Sequence, residues 1–111
     1  MRGDYDSQGF LESSLRNQEA LITILATTAP KDLAGRIIDA AITASVPYIL
    51  PTEFGPDTAN TELVNAVPFF GPKKAFRDQI EASKTSSFIA VINGLWFDFV
   101  GTLLVFQNLV C

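Results

Sequence analysis

The sequence predicts an α/β fold built on a short parallel sheet, and three observations carry that prediction. Apolar, strand-like runs alternate with amphipathic, helix-like segments along the whole chain. Each of the two middle helices is announced by a proline at its expected start, Pro30 and Pro72. The apolar runs are short and nearly continuous, as in strands buried on both faces. Strand, helix, strand, helix, strand is the pattern of right-handed βαβ units.

The elements follow in order. "FLESSLRNQ" places Phe10, Leu11 and Leu15 near helical spacing, which predicts a helix over about 10–17. "EALITILATTA" predicts a strand over about 20–26. In "PKDLAGRIIDAAITAS", Leu33, Ile37, Ile38 and Ala41 form an apolar stripe, which predicts a helix over about 31–44. "VPYIL" predicts a strand over about 47–50, ended by Pro51, and "PDTANTELVN" a loop with about one helical turn. "GPKKAFRDQIEASK" repeats the Gly-then-Pro opening and predicts a helix over about 72–84, with Phe76 and Ile80 on one side. "SFIAVIN" predicts a strand over about 87–92, and the apolar segment beyond Gly94 a helix over about 95–108. A buried strand and helix are expected for Phe88–Cys111 in preference to a transmembrane span, because Asp98 would fall mid-span.

Composition narrows the chemistry. At 111 residues one domain is expected, and 48% hydrophobic against 18% charged residues suits a packed core. The formal charge is −4 and the basic residues are scattered, so a direct nucleic-acid surface is not expected. There is no histidine, which removes imidazole bases and histidine metal sites from this chain. The single cysteine, Cys111, cannot form an internal disulfide or a cysteine zinc cluster. The polar start "MRGDYDSQGF" lacks the apolar core of a signal peptide, and a cytoplasmic setting without membrane attachment is expected.

In parallel α/β sheets, ligands bind beyond the carboxyl ends of the strands. Three predicted strand ends carry small or polar residues: Ala26–Thr28, Pro51–Gly55 and Asn93–Gly94. Glu53 is either a site carboxylate or a turn residue. Thr27 and Thr28 either contact a ligand or terminate the strand. Lys73 and Lys74 fall in the first turn of a predicted helix, where the dipole disfavours cations by about 0.3–1 kcal/mol each. Dipole and neighbouring ammonium would both depress a lysine pKa and suit it to proton transfer. A solvated surface pair is the other reading. No Gly-x-Gly-x-x-Gly, Gly-x-x-Gly-x-x-Gly or Gly-x-x-x-x-Gly-Lys-Ser/Thr loop and no Gly-x-Ser-x-Gly elbow is present.

The segments "RGDYDS", "QEALITILA", "AGRIIDAAITASVPYILPTEFGPDT", "KKAFRDQIEA" and "FIAVINGLWFDF" together resemble the isoflavone-reductase-like, NmrA-like family, and its fungal members most closely. The most specific pieces are "LPTEFG" and the Lys-x-x-x-Arg helix start followed by "IEA". The resemblance covers most of residues 2–99. It implies an atypical short-chain dehydrogenase with a partial Rossmann, doubly wound fold: three parallel strands with intervening helices, the C-terminal half of the sheet only. It implies NADPH as cofactor and reduction of a small, often aromatic, compound. Lys73 would take the family's catalytic position, or Lys74 if the match shifts by one residue. Pro51, Thr52, Glu53 and Phe54 would lie near the nicotinamide, Thr27 would border the cofactor, and Asn93 would lie near the substrate.

The departures set further expectations. The family's first βαβ unit, with its glycine-rich turn, has no counterpart here, so the chain reads as a fragment. "VGTLLVFQNLVC" departs from the family pattern. Independent catalysis is therefore not expected. A non-catalytic, dinucleotide-sensing regulator of NmrA-like type and a degenerate fragment without activity remain open beside the reductase. The strand at 20–26 would be an apolar edge, favouring homodimerisation or aggregation. Both crossovers run in one direction and place their helices on one face of the sheet, so the segment Leu95–Leu109 is expected to cover the other.

Overall fold

A computed structural model describes residues 3–26 and 28–94 of the chain. Helix α1 spans Gln8–Leu15, strand β1 Ala20–Ile22, helix α2 Leu33–Thr43 and strand β2 Tyr48–Leu50. Helix α3 spans Thr61–Ala66, a 3-10 turn Pro68–Phe70, helix α4 Gly71–Ser83 and strand β3 Ser87–Phe88. The strands form one parallel sheet in the order β1-β2-β3. This is part of a doubly wound α/β fold, three parallel strands with helices in the connections.

Local chemistry explains the boundaries. Ser7 starts α1, its side-chain oxygen accepting from the Phe10 N–H at 3.3 Å. Lys84 ends α4 in the left-handed region at φ 53°. The ladders are shorter than the apolar runs because central β2 is itself short. Pro51 follows Leu50 and has no N–H to donate. The Glu53 N–H then bonds the Pro51 carbonyl at 2.7 Å, a tight turn that carries the chain out of the sheet. Of the run 20–26, Thr23 still donates to the Leu50 carbonyl at 3.0 Å, just beyond the paired segment. Of the run 87–92, Ile89 donates to Ile49 at 2.9 Å, and Ile92 forms an isolated parallel bridge with Gly55. The helix expected over 95–108, and any cover it gives the sheet, lie outside the described residues.

The pleat sorts side chains by face. Leu21, Ile49 and Phe88 share one register row, and their face meets the helices. Ile38 and Ala41 of α2, Ile80 of α4, Val46 and Ile49 form the buried cluster, with Leu15, Phe76 and Phe88 packed against it. On the neighbouring rows Ile22, Tyr48 and Ile89 are exposed. The helices therefore line one face, as two crossovers of the same hand in one direction require. No helix among the described residues is long and apolar enough to cross a membrane.

Candidate functional site

The carboxyl end of β2 and the start of α4 converge on one corner. Two residues one helical turn apart on α4, Lys73 and Arg77, face the turn that follows β2. The Lys73 ammonium donates to the Glu53 backbone carbonyl at 2.7 Å. Arg77 Nη1 donates to Asp57 Oδ1 at 3.0 Å and to Thr58 Oγ1 at 3.3 Å. Lys74 lies on the adjacent face and pairs with Asp78 at 2.7 Å, its helical i,i+4 neighbour. The two lysines thus part company: Lys73 reaches the Glu53 turn and Lys74 does not.

Within the turn, Glu53 is only 2% exposed. Its Oε1 accepts from the fully buried Thr58 hydroxyl at 2.8 Å, and its Oε2 has no hydrogen-bond partner. Buried carboxylate oxygens are rarely left so, since each lost partner costs about 1–3 kcal/mol or more. Phe54 holds a φ of 41°. Backbone outliers of this kind cost about 1–3 kcal/mol and concentrate at functional sites. Gly55 follows without a side chain, and a Cβ there would sit 3.5 Å from the Glu53 carbonyl and 3.9 Å from Lys73 Nζ. Pro51 is buried beneath. The Thr52 hydroxyl donates to the Thr23 carbonyl at 2.8 Å, tying this rim to the end of β1.

The third strand closes the corner. The Gly94 N–H donates to the Gly55 carbonyl at 3.2 Å, next to the bridge between Gly55 and Ile92. Asn93 lies between these two contacts, exposed, on the same rim as Glu53 and Phe54. Thr27 lies outside the described residues, and Thr28 is exposed.

Burial pushes the Lys73 pKa below its ordinary 10.5, and the Glu53 charge opposes that shift. The cause of the depression is desolvation by burial. Lys73 Nζ also lies 5.9 Å from the ring centroids of both Phe69 and Phe70, within cation–π reach. Phe69 is 63% exposed, so the ammonium borders an apolar surface open to solvent. One of its three N–H donors is committed to Glu53, and the group combines polarity with a shift toward neutral pH. That arrangement can present a proton to a ligand oxygen.

Sequence reasoning passed over Thr58, Asp57, Phe69 and Phe70. Asp57 and Thr58 belong to "FGPDT", directly after the turn, and Arg77 is in helical register with Lys73. A separate apolar cleft of about 310 Å³ lies between α1 and the β1 edge, lined by Phe10, Leu15, Leu21, Ile22, Ile24 and Ile37.

No protein-family model matches the sequence, and no curated protein matches it significantly. Two solved structures share its fold. One is AtPrR2 with NADP+ and (+)-pinoresinol, at a TM-score of 0.66 and 19% identity, matched over 79% of this chain and 31% of its own. The other is the Citrobacter sp. triphenylmethane reductase complexed with NADP(H), at 0.64 and 19%, matched over 88% of this chain and 34% of its own. The chain spans about a third of the length of each. What these likenesses establish is the architecture: the chain folds as one part of the doubly wound sheet found in two larger, NADP-bound proteins.

Proposed function

We propose that this chain is the nicotinamide- and substrate-facing part of an NAD(P)H-dependent oxidoreductase of isoflavone-reductase-like type. It acts on a small, aromatic compound, with NADPH as cofactor. The observation that carries the reading is the hydrogen bond from Lys73 Nζ to the Glu53 carbonyl at the carboxyl end of β2. It sets a pKa-depressed ammonium on the rim where doubly wound sheets bind ligands.

The residues present fit the nicotinamide end of a dinucleotide. The rim carries a buried acceptor without a partner at Glu53 Oε2 and a side-chain-free position at Gly55. When bound, the reduced nicotinamide supplies hydride. Lys73 supplies the proton to the substrate oxygen, and the Glu53 carbonyl orients its ammonium. Pro51, Thr52, Glu53 and Phe54 shape the cofactor side of the rim, Thr27 borders it, and Asn93 serves the substrate side. Phe69 and Phe70 offer an aromatic wall beside the ammonium. The glycine loop that cradles a pyrophosphate is not in this sequence, so turnover by these 111 residues alone is not expected. A cytoplasmic setting, without membrane or nucleic-acid partners, and self-association along the β1 edge complete the proposal.

The test is an NADPH titration of the chain followed by backbone-amide NMR. Weak binding, at about millimolar affinity, is expected, with shifts confined to residues 52–55, 73 and 91–94. Shifts elsewhere, or none at about ten times that concentration, would reject the reading.

A further inference from the structure

A buried carboxylate and an ammonium belong to adjacent parts of this corner, yet they do not pair. Lys73 bonds the carbonyl of Glu53, and no ion pair between Lys73 and Glu53 occurs among the described residues. Charge-assisted bonds are roughly twice as strong as neutral ones. An ammonium that already touches one end of a glutamate should prefer its carboxylate unless that carboxylate is held elsewhere.

The hold is visible. The Thr58 hydroxyl has one proton to donate, and the direction in which it donates is set from behind. Arg77 can only donate, and its Nη1 lies 3.3 Å from Thr58 Oγ1, so the threonine oxygen accepts there. Its own proton then goes to Glu53 Oε1 at 2.8 Å. Asp57 fixes the guanidinium in turn at 3.0 Å. Thr58 is fully buried, and the Arg77 side chain is only 14% exposed and lies over the Phe88 ring, 4.8 Å from its centroid. A one-way chain of donors, Arg77 to Thr58 to Glu53, thus points the carboxylate toward Thr58.

The geometry points to Thr58, oriented by Arg77, as a positioning residue that diverts the Glu53 carboxylate from Lys73, leaving the ammonium on a neutral carbonyl. Among the described residues, the groups facing Lys73 are few. Glu53 faces it from the turn after β2, and the Phe69 and Phe70 rings from the 3-10 turn. On its own helix, Lys74 and Asp78 pair with each other, while Arg77 is engaged with Asp57 and Thr58. No residue from Ser87 to Gly94 carries a charge. The device keeps a lysine poised to give up its proton, where a salt bridge would fix it as a cation. Its value to catalysis rests on the reductase reading; the diversion itself does not.

The test is pH-dependent acetylation of the intact chain by acetic anhydride, resolved lysine by lysine by mass spectrometry, with Lys31 and Lys84 as references. Thr58→Val is expected to raise the midpoint of Lys73 by about one unit, a tenfold change in proton affinity. Thr58→Ser, which restores the hydroxyl, should match the parent. Glu53→Gln in the Thr58→Val background should cancel the rise. Glu53→Gln alone should lower the affinity by less than about threefold, because the charge it removes favours the Lys73 cation only from a distance, held toward Thr58. A natively folded Thr58→Val with an unchanged Lys73 midpoint overturns the proposal. So does a tenfold fall in Glu53→Gln alone, a measurement that remains decisive if Thr58→Val does not fold. Absence of NADPH binding would reject the reductase and leave these midpoints as they are. Unchanged midpoints would reject the diversion and leave the reductase standing.

Discussion

Lys73 and Lys74 show how one residue of register separates a site group from a surface group. Lys74 and its partner Asp78 are 37% and 58% exposed, and such pairs contribute about 0.3–0.5 kcal/mol. Lys74→Ala is therefore expected to shift the denaturation midpoint barely, as read by circular dichroism. Lys73 differs in sign as well as in place. Its folded pKa is depressed, so the unfolded chain binds more protons between that value and 10.5. The charge opposes folding at pH values below the folded pKa, and this burden lifts as pH rises through the window. Relative to the parent, Lys73→Met should accordingly lose stability progressively as pH climbs toward 10.5, measured by urea unfolding at each pH. A parallel pair of pH profiles would contradict the shift. At this scale the sequence was partly legible. Two lysines at a helix start broke a local preference and drew attention, but the spacing could not separate them until α4 was placed against the β2 turn. The backbone conformation of Phe54 was not legible. A reader would assign the unusual φ to Gly55, the permissive residue, yet Phe54 carries it.

Among the elements, β1 is the vulnerable one. It lies at the sheet edge, with Ile22 58% and Ile24 76% exposed beside the apolar cleft under α1. Its Thr23 N–H is held by Leu50, and alternation along a strand turns the Ile22 N–H to the open side. Hydrogen exchange should therefore be slower at Thr23 than at Ile22, and equal protection of the two would show that something covers the edge. Ile24→Lys should reduce self-association without lowering stability, since charged residues blunt exposed edges; sedimentation velocity reports the difference. A parent that sediments as a single monomeric species at high concentration would remove the association proposal. Helices and strands were visible in the sequence because Pro51 and Pro72 mark the end of β2 and the start of α4 and apolar periodicity fills the segments; Pro30 lies three residues before α2, which starts at Leu33. Ladder lengths were not, because pairing depends on a partner about 28 residues away that stops at Leu50.

At the scale of the molecule, the described residues form a sheet with helices on one side. Among the described residues the core is centred on Ile38, Ala41, Val46, Ile49 and Ile80. Ile49 sits in the central strand at 0% exposure. Ile49→Ala should cost about 2–5 kcal/mol. That is comparable to the total stability of many small domains, about 5–15 kcal/mol. Loss of the far-ultraviolet helical signal at ambient temperature is the expected result, and retention of a cooperative transition near that of the parent would show that the core is larger than this cluster. The one-sidedness was foreseeable from crossover handedness, which needs only the order of elements. The meeting of Lys73 with the Glu53 turn was foreseeable too, from the helix start that follows that strand end; the link through Thr58 to Arg77 was not, because it joins residues up to 24 positions apart through side-chain hydrogen bonds that sequence spacing does not reveal.

The small seam between Gly55 and residues 92–94 has a mechanical corollary. It ties Gly55 to the third strand, two residues from the carbonyl that takes the Lys73 bond. A shift of the backbone at Ile92–Gly94 would therefore pass to the turn that carries the lysine's acceptor.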